Sequence, residues 1–180
     1  MGAQGSTERV EEGPASANQK AVAAPKPLVV ERLTHQDVPN ICALYKRVWD
    51  AFRPELPSDL IKAWEPTPLE FTSWMEGVTY FAARRDGKMV GAVGCELSEG
   101  SCRIVHLAVD PDSRRQGVAR ALTTAALEWA RHNNSHSIWA DALERFGGAA
   151  ELFKHLGFAE CGIFHKHYWN EDVRLFEMML

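Results

Sequence analysis

His106-Leu-Ala-Val-Asp-Pro-Asp-Ser-Arg-Arg-Gln-Gly-Val-Ala-Arg120 is the stretch on which the reading of this chain turns. An apolar β-type run stops at Asp110-Pro111, a polar loop follows, and a helix opens at Gly117. A helix N-terminus presents unpaired amides and the positive end of the macrodipole, which suits it to a phosphate. Gly117 lets a bulky anion approach the backbone, Ala119 keeps the next turn narrow, and Arg114, Arg115 and Arg120 add positive charge. On the residues alone this is a candidate pyrophosphate site; the plainer alternative is an exposed arginine loop.

Working outward, the spacing predicts an ordered series of elements. Upstream, Leu28 to Leu33 reads as a strand, and Thr34 caps a helix running to about Ala51 on Val38, Ile41, Leu44, Tyr45 and Val48. Phe52 to Gly77 carries four prolines with Trp64 and Trp74, a pattern of short helical pieces joined by turns. Val78 to Arg84 and Met89 to Leu97 flank Asp86-Gly87, a two-residue hairpin signal, and Arg103 to Val109 is the next strand. The helix Gly117 to His132 is expected to bury Val118, Leu122, Ala125 and Trp129. A strand at Ser137 to Ala142 and a helix at Ala149 to Leu156 with Gly157 as its cap come next. Two β-runs, Ala159 to Trp169 and Val173 to Leu180, joined through Asn170-Glu171-Asp172, close the chain. The implied fold class is α/β, with a central mixed twisted sheet of six to seven strands and helices on both faces.

The quoted stretch resembles the acetyl-CoA-binding motif of the GNAT superfamily of N-acetyltransferases. The signature Arg/Gln-x-x-Gly-x-Gly/Ala stands here as Arg114-Arg-Gln-Gly117-Val-Ala119, after the strand Leu107-Ala-Val109. Its flanks resemble the family too: the strand Ile138-Trp-Ala-Asp-Ala142 and the ending Leu152-Phe-Lys-His-Leu-Gly-Phe158. The resemblance implies a fold whose strands splay at the acetyl-CoA site, and direct transfer of acetyl from acetyl-CoA to a primary amine in a ternary complex. It implies that the pyrophosphate sits on amides of Arg115, Gln116, Gly117, Val118, Ala119 and Arg120. The pantetheine arm would lie along the edge Leu107, Ala108 and Val109, as an added strand does. No metal is implied.

Three side chains are candidates for proton transfer. Asp141 stands where relatives acting on protein N-termini often carry Glu or His, so the resemblance makes it the candidate base, with a strand-end or capping aspartate as the plain alternative. His106, one residue before the pantetheine strand, is the second candidate; a satisfied core histidine is the alternative. Arg103 occupies a position where some relatives place a catalytic Glu or Tyr, which argues against a base there. Many relatives also carry Asn-x-x-Ala-x-x-x-Tyr before Leu-Gly-Phe, the tyrosine hydroxyl protonating the thiolate. Here those places hold Phe146, Ala149 and Phe153, and phenylalanine has no proton to give. Phe153 is therefore retained only as a coenzyme-side residue, and Tyr168 is the nearest substitute donor in type.

The terminal His165-Lys-His-Tyr-Trp-Asn-Glu-Asp-Val-Arg-Leu-Phe stretch resembles that of ribosomal-protein and other protein N-terminal acetyltransferases. In those enzymes an aromatic pair, matched by Tyr168 and Trp169, helps cover the acceptor peptide. The acceptor stays open between a peptide N-terminus and a small amine such as a polyamine or an antibiotic. Trp64 and Trp74 fall in the segment forming one wall of the family's acceptor site, although a tryptophan there also reads as core. A non-catalytic acetyl-CoA-binding module is the remaining alternative, supported by Phe153.

Composition sets the outer bounds. The chain has 180 residues and a formal charge of −4, without a massed basic face, so nucleic acid is not an expected partner. Met1 to Lys26 lacks aromatic residues and reads as a flexible tail before a single domain over 27–180. No apolar run follows a basic start, so no secretory signal is expected, and none reaches the ~18 residues of a membrane span. Cys42, Cys95, Cys102 and Cys161 show no CxxC or Cys/His metal spacing, which fits reduced thiols in a cytoplasmic monomer or homodimer.

Overall fold

A computed structural model describes residues 27–180 of the chain. The expected tail over Met1 to Lys26 lies outside the described residues. The strands are β1 (Val29–Arg32), β2 (Val78–Arg85), β3 (Lys88–Ser98), β4 (Ser101–Val109), β5 (Ser137–Leu143), β6 (Ala159–Tyr168) and β7 (Glu171–Met179). The helices are α1 (Val38–Asp50), α2 (Ser58–Trp64), α3 (Pro68–Trp74), α4 (Val118–His132) and α5 (Gly147–His155). One sheet takes all seven strands in the order β1-β2-β3-β4-β5-β7-β6. All neighbours are antiparallel except β4 and β5. This is the mixed α/β architecture read from the sequence.

Two apolar layers fix the sheet between its helices. On one face α4 and α5 bury Val118, Leu122, Ala126 and Phe153 against Val93, Ile104 and Ile138. On the other, α1 and α3 bury Ile41, Leu44, Tyr45 and Phe71 against Tyr80, Ala82 and Ala108. Helix α4 lies very close to β3. A Cβ on Gly91 would come within 2.8 Å of Val118 Cγ1 and 2.9 Å of Leu122 Cδ1. Any larger residue there must displace these two side chains of α4.

Three sequence expectations need correction. The buried stripe of α4 runs through Ala126, Leu127 and Ala130, whereas Ala125 and Trp129 are half-buried beside it. The last hairpin turns at Trp169-Asn170, with φ of 47° and 68°, so β7 already begins at Glu171. Two left-handed residues make a tight turn whose twist matches that of the strands. Phe153, finally, packs between Phe158 and Phe176 at ring-centroid distances of 5.3 and 5.5 Å and is 2 % exposed. It is a core residue that offers no surface to a coenzyme.

Candidate active site at the split between β4 and β5

Strands β4 and β5 are paired only from Ser101↔Ser137 to Ile104↔Ala140, and beyond that they part. The cause lies partly in β4. Gly94 pairs with Val105 but Ala92 pairs with Ala108, so β4 carries one residue more than β3 over this span. The bulge takes up that residue at His106, whose φ of 54° is left-handed. Such a backbone costs a non-glycine residue roughly 1–2 kcal/mol, and neighbours hold it in place. The buried Tyr45 hydroxyl donates to the His106 carbonyl at 2.9 Å. Tyr80 Oη lies 2.7 Å from His106 Nδ1, and the Trp74 ring stacks on the imidazole with centroids 4.5 Å apart. Burial, with help from the Arg103 charge, lowers the His106 pKa to about 4, so the ring is neutral at pH 7.

Past the bulge, Leu107 to Val109 form the edge of β4 that faces the split, with Ala108 buried on one face of the sheet and Leu107 and Val109 half-buried against the core on the other. The chain then makes a 3-10 turn over Pro111–Ser113. Asp110, read in the sequence only as a strand stop, is the anchor here. It is 2 % exposed, caps the turn through the Asp112 amide at 3.2 Å, and accepts from Arg47 Nε of α1 at 3.0 Å. Its Asp-Pro-Asp setting is a readable turn signature; the partner on α1 is not visible in local sequence.

The loop that follows presents its backbone. Arg115 has φ of 60°, and Gly117, the N-cap of α4, has φ of 80° and ψ of 0°. The first turn of α4 leaves amides without intrahelical acceptors. A Cβ built on Gly117 meets nothing within 4 Å, so the space above these amides is open. Gln116 is held from both sides, by Arg85 of β2 and by its own Nε2 donating to the Asp112 carbonyl at 2.9 Å. Arg115 and Arg120 are exposed. Arg114 is turned away, its guanidinium 4.9 Å from the Phe52 ring centroid and its Nε donating to the Val109 carbonyl at 3.4 Å. The open, cationic, amide-lined cradle fits a pyrophosphate.

On the opposite lip Asp141 is the first residue of β5 beyond the last β4 pair. Its Oδ1 accepts from Arg103 Nη2 at 3.0 Å, and the same nitrogen donates to Tyr168 Oη at 2.9 Å. Burial, and then the Asp141 charge close by, raise the Tyr168 pKa, so its hydroxyl stays protonated. A cavity of about 130 Å³ is lined by Arg103, Trp139, Asp141, His167 and Tyr168 together with apolar residues of the β6–β7 hairpin. Trp64 of α2 meets Tyr168 edge-on at 6.0 Å but does not itself line this cavity. Trp169 sits apart in the turn, 43 % exposed. A larger cavity of about 390 Å³ lies between β1 and the start of β2; Tyr80 lines it, whereas Asp141, Arg103 and Tyr168 do not.

The structure therefore brings Asp141, Tyr168 and Arg103 together at one cavity, whereas His106 does not line it and is packed against Tyr80 and Trp74. Sequence reading missed Arg103 as a member of the cluster, although its placement in β4 as a cation where relatives carry Glu or Tyr was a usable signal. Among the described residues, no group of three or more His, Cys, Asp or Glu is placed to hold a metal, and no helix is long and apolar enough to cross a membrane.

Residues 42–158 match the acetyltransferase (GNAT) family. The chain is 31 % identical over 105 residues to human N-acetyltransferase 8B, covering 55 % of this chain and 46 % of that protein. It is 28 % identical over 94 residues to the ribosomal protein bS18-alanine N-acetyltransferase of Escherichia coli K12, covering 52 % of this chain and 64 % of that one. The chain thus spans about half the length of the first relative and under two thirds of the second. The fold superposes on the ribosomal-protein-S18-alanine N-acetyltransferase from Escherichia coli with a TM-score of 0.70 at 22 % identity, over 85 % of this chain and 94 % of the other. The PaiA N-acetyltransferase from Thermoplasma acidophilum in complex with coenzyme A gives 0.72 at 10 % identity, over 86 % and 99 %. At these identities the structural likeness speaks for the fold, whereas the family match spans most of the chain, and the protein belongs to the acetyltransferase (GNAT) family.

Proposed function

We propose that the chain is an acyl-CoA-dependent N-acetyltransferase that moves the acetyl group of acetyl-CoA to a primary amine by direct attack in a ternary complex. The observation that carries this reading is the split itself: an open β4 edge and an amide cradle on one lip, and a carboxylate on the other. When bound, acetyl-CoA supplies the activated acyl group. The amides of Arg115 to Arg120 would hold its pyrophosphate, with Arg115 and Arg120 adding charge, and the edge Leu107 to Val109 would hold the pantetheine arm. The PaiA N-acetyltransferase solved in complex with coenzyme A shares this fold.

Asp141 takes the proton of the acceptor ammonium, directly or through water. Arg103 Nη2 donates to its Oδ1 at 3.0 Å and fixes its orientation. An α-amine, with a pKa of about 7.7–8.0, needs less help from a base than a lysine-like amine at about 10.4. That lower demand, and the ribosomal-protein relative, favour a protein or peptide N-terminus as acceptor. His106 stays neutral and acts as a packed, hydrogen-bonded element of the bulge. Tyr168 keeps a proton at Oη that can pass to the departing thiolate. The four cysteines are free thiols, in keeping with a reducing, cytoplasmic setting.

The experiment is a thiol-release assay with acetyl-CoA and a panel of short peptides, polyamines and aminoglycosides, with products weighed by mass spectrometry. We expect release with peptides bearing a free α-amine. Acetyl-CoA binding without release from any amine overturns this reading in favour of a binding module.

A further inference from the structure

We propose that Arg103 recognises the acceptor itself, donating to the carbonyl or carboxylate oxygen one carbon away from the amine, and so selects α-aminoacyl acceptors. The proposal rests on the reading of Asp141 as proton acceptor in a transferase. Its basis is a count of donors. A guanidinium has five N–H donors in a rigid fork. Nη2 is occupied by Asp141 at 3.0 Å and Tyr168 at 2.9 Å. Nη1 has only Glu96 Oε2 at 3.9 Å, beyond hydrogen-bond range. Nε is buried, with no partner among the described residues.

A half-buried cation with idle donors is costly unless something else completes it. Of these donors Nε is fully enclosed, and native structures contain few buried donors left without a partner, because such groups are costly. Arg103 is also held rigidly: its guanidinium lies 4.8 Å from the centroid of Trp139, its register partner on β5. It lines the same cavity as Asp141. An α-aminoacyl unit has two polar ends a few bonds apart, and the site has two complementary groups side by side. The amine meets Asp141 while the neighbouring oxygen meets the unused Nη1 edge of the guanidinium. When the carboxylate turns to the amine, that oxygen also replaces part of what Arg103 loses. A simple alkylamine leaves the donors idle and gains none of this.

The test compares phenylalaninamide, phenylalanine and 2-phenylethylamine as acceptors with acetyl-CoA, in the parent protein and in Arg103→Met and Arg103→Lys. The amines differ in their own pKa, but this difference cancels when the ratio of their kcat/KM values is compared between proteins. We expect the parent's preference for the carbonyl-bearing acceptor to fall roughly tenfold in Arg103→Met, as expected for a lost hydrogen bond to a charged group. Arg103→Lys should restore part of it, since the charge remains and the fork does not. Acetyl-CoA affinity should not change. A faster reaction of phenylalanine identifies a free carboxylate as the oxygen; a faster reaction of the amide identifies a peptide carbonyl. A purely structural arginine slows all three acceptors alike, and an unchanged ratio overturns the proposal while leaving the transferase reading intact. If the Met variant does not fold, a Lys variant with the parent's ratio overturns it equally. No thiol release from these amines or from any peptide overturns the transferase reading and this proposal with it.

Discussion

On the loop side of the split, the groups that would hold the coenzyme are backbone: amides of residues 115–120, a left-handed Gly117 and an unpaired strand edge. On the hairpin side, the groups that would hold the acceptor are side chains contributed by β4, β5 and β6. The contrast has a physical consequence. A backbone site depends on dihedral angles and open space, so many side chains can change around it while the coenzyme stays the same. A side-chain site depends on which groups converge from distant segments, so each replacement alters charge or reach. One fold can therefore keep its coenzyme and vary its acceptor.

The largest effect should come from the acceptor side. In Asp141→Asn the shape is kept and the proton acceptor is gone, so turnover should fall roughly 10²-fold, with acetyl-CoA affinity little changed. The loss should shrink at high pH, where the amine is already neutral, and should be smaller for an α-amine than for a lysine-like amine. A parallel melting curve checks that Arg103, left without its closer ion-pair partner, has not loosened the fold. If the pH–rate profile of the variant tracks the parent, Asp141 is only a partner for Arg103.

The coenzyme side should respond to shape alone. Gly117→Val should weaken acetyl-CoA binding by more than tenfold, about 1.4 kcal/mol, because the branched side chain fills the space above the amides. In the free protein that Cβ meets nothing within 4 Å, and its cost is confined to the strained φ of 80°. Calorimetry on the folded variant that returns the parent's affinity removes the phosphate reading of this loop.

These two tests also mark what could be read from the sequence. The Gly117 loop was legible because its parts are contiguous and each has a local reason: the strand stop at Asp110-Pro111, the glycine, the helix behind it. Asp86-Gly87 was legible likewise, and both residues are left-handed as that turn requires, with φ of 52° and 74°. The Trp169-Asn170 turn was misplaced because neither residue is glycine, and only the pairing of Tyr168 with Glu171 fixes the register. The Arg103–Asp141–Tyr168 cluster joins residues up to 65 positions apart, and no local spacing shows that the three meet. Phe153 was assigned to the coenzyme because of where it falls in a motif, whereas its burial against Phe176 comes from a strand that motif does not include.

His106 lies on the boundary between the two sides, and its replacement should have a smaller effect on turnover than either change above. His106→Gln keeps a hydrogen-bonding group near Tyr80 and should reduce turnover only a few-fold. Its clearer signature is in stability. The ring's pKa falls from 6.5 to about 4 on folding, so the folded state prefers the neutral ring. The stability this preserves is complete above pH 6.5 and is lost progressively as pH falls toward 4. The parent should therefore lose on the order of 1–3 kcal/mol more than His106→Gln across that window. Denaturant titrations at pH 7 and pH 4.5 decide it. A variant as acid-sensitive as the parent shows that other groups govern the decline.

The smallest effect should come from outside both sides. A chain beginning at Pro27 should keep the melting temperature and the turnover of the full chain, because Met1 to Lys26 offers little apolar surface to bury. The described residues make this a sharp test. Among the described residues β1 is an edge strand, paired with β2 alone, and Val29 on it is 52 % exposed. Open backbone on such an edge is where an added segment would pair. If the first 26 residues cover that edge, truncation should lower the melting temperature by several degrees and leave acetyl-CoA affinity alone, since β1 lies at the far side of the sheet from the split. An unchanged melting temperature places the whole of the folding information, like both lips of the site, within residues 27–180.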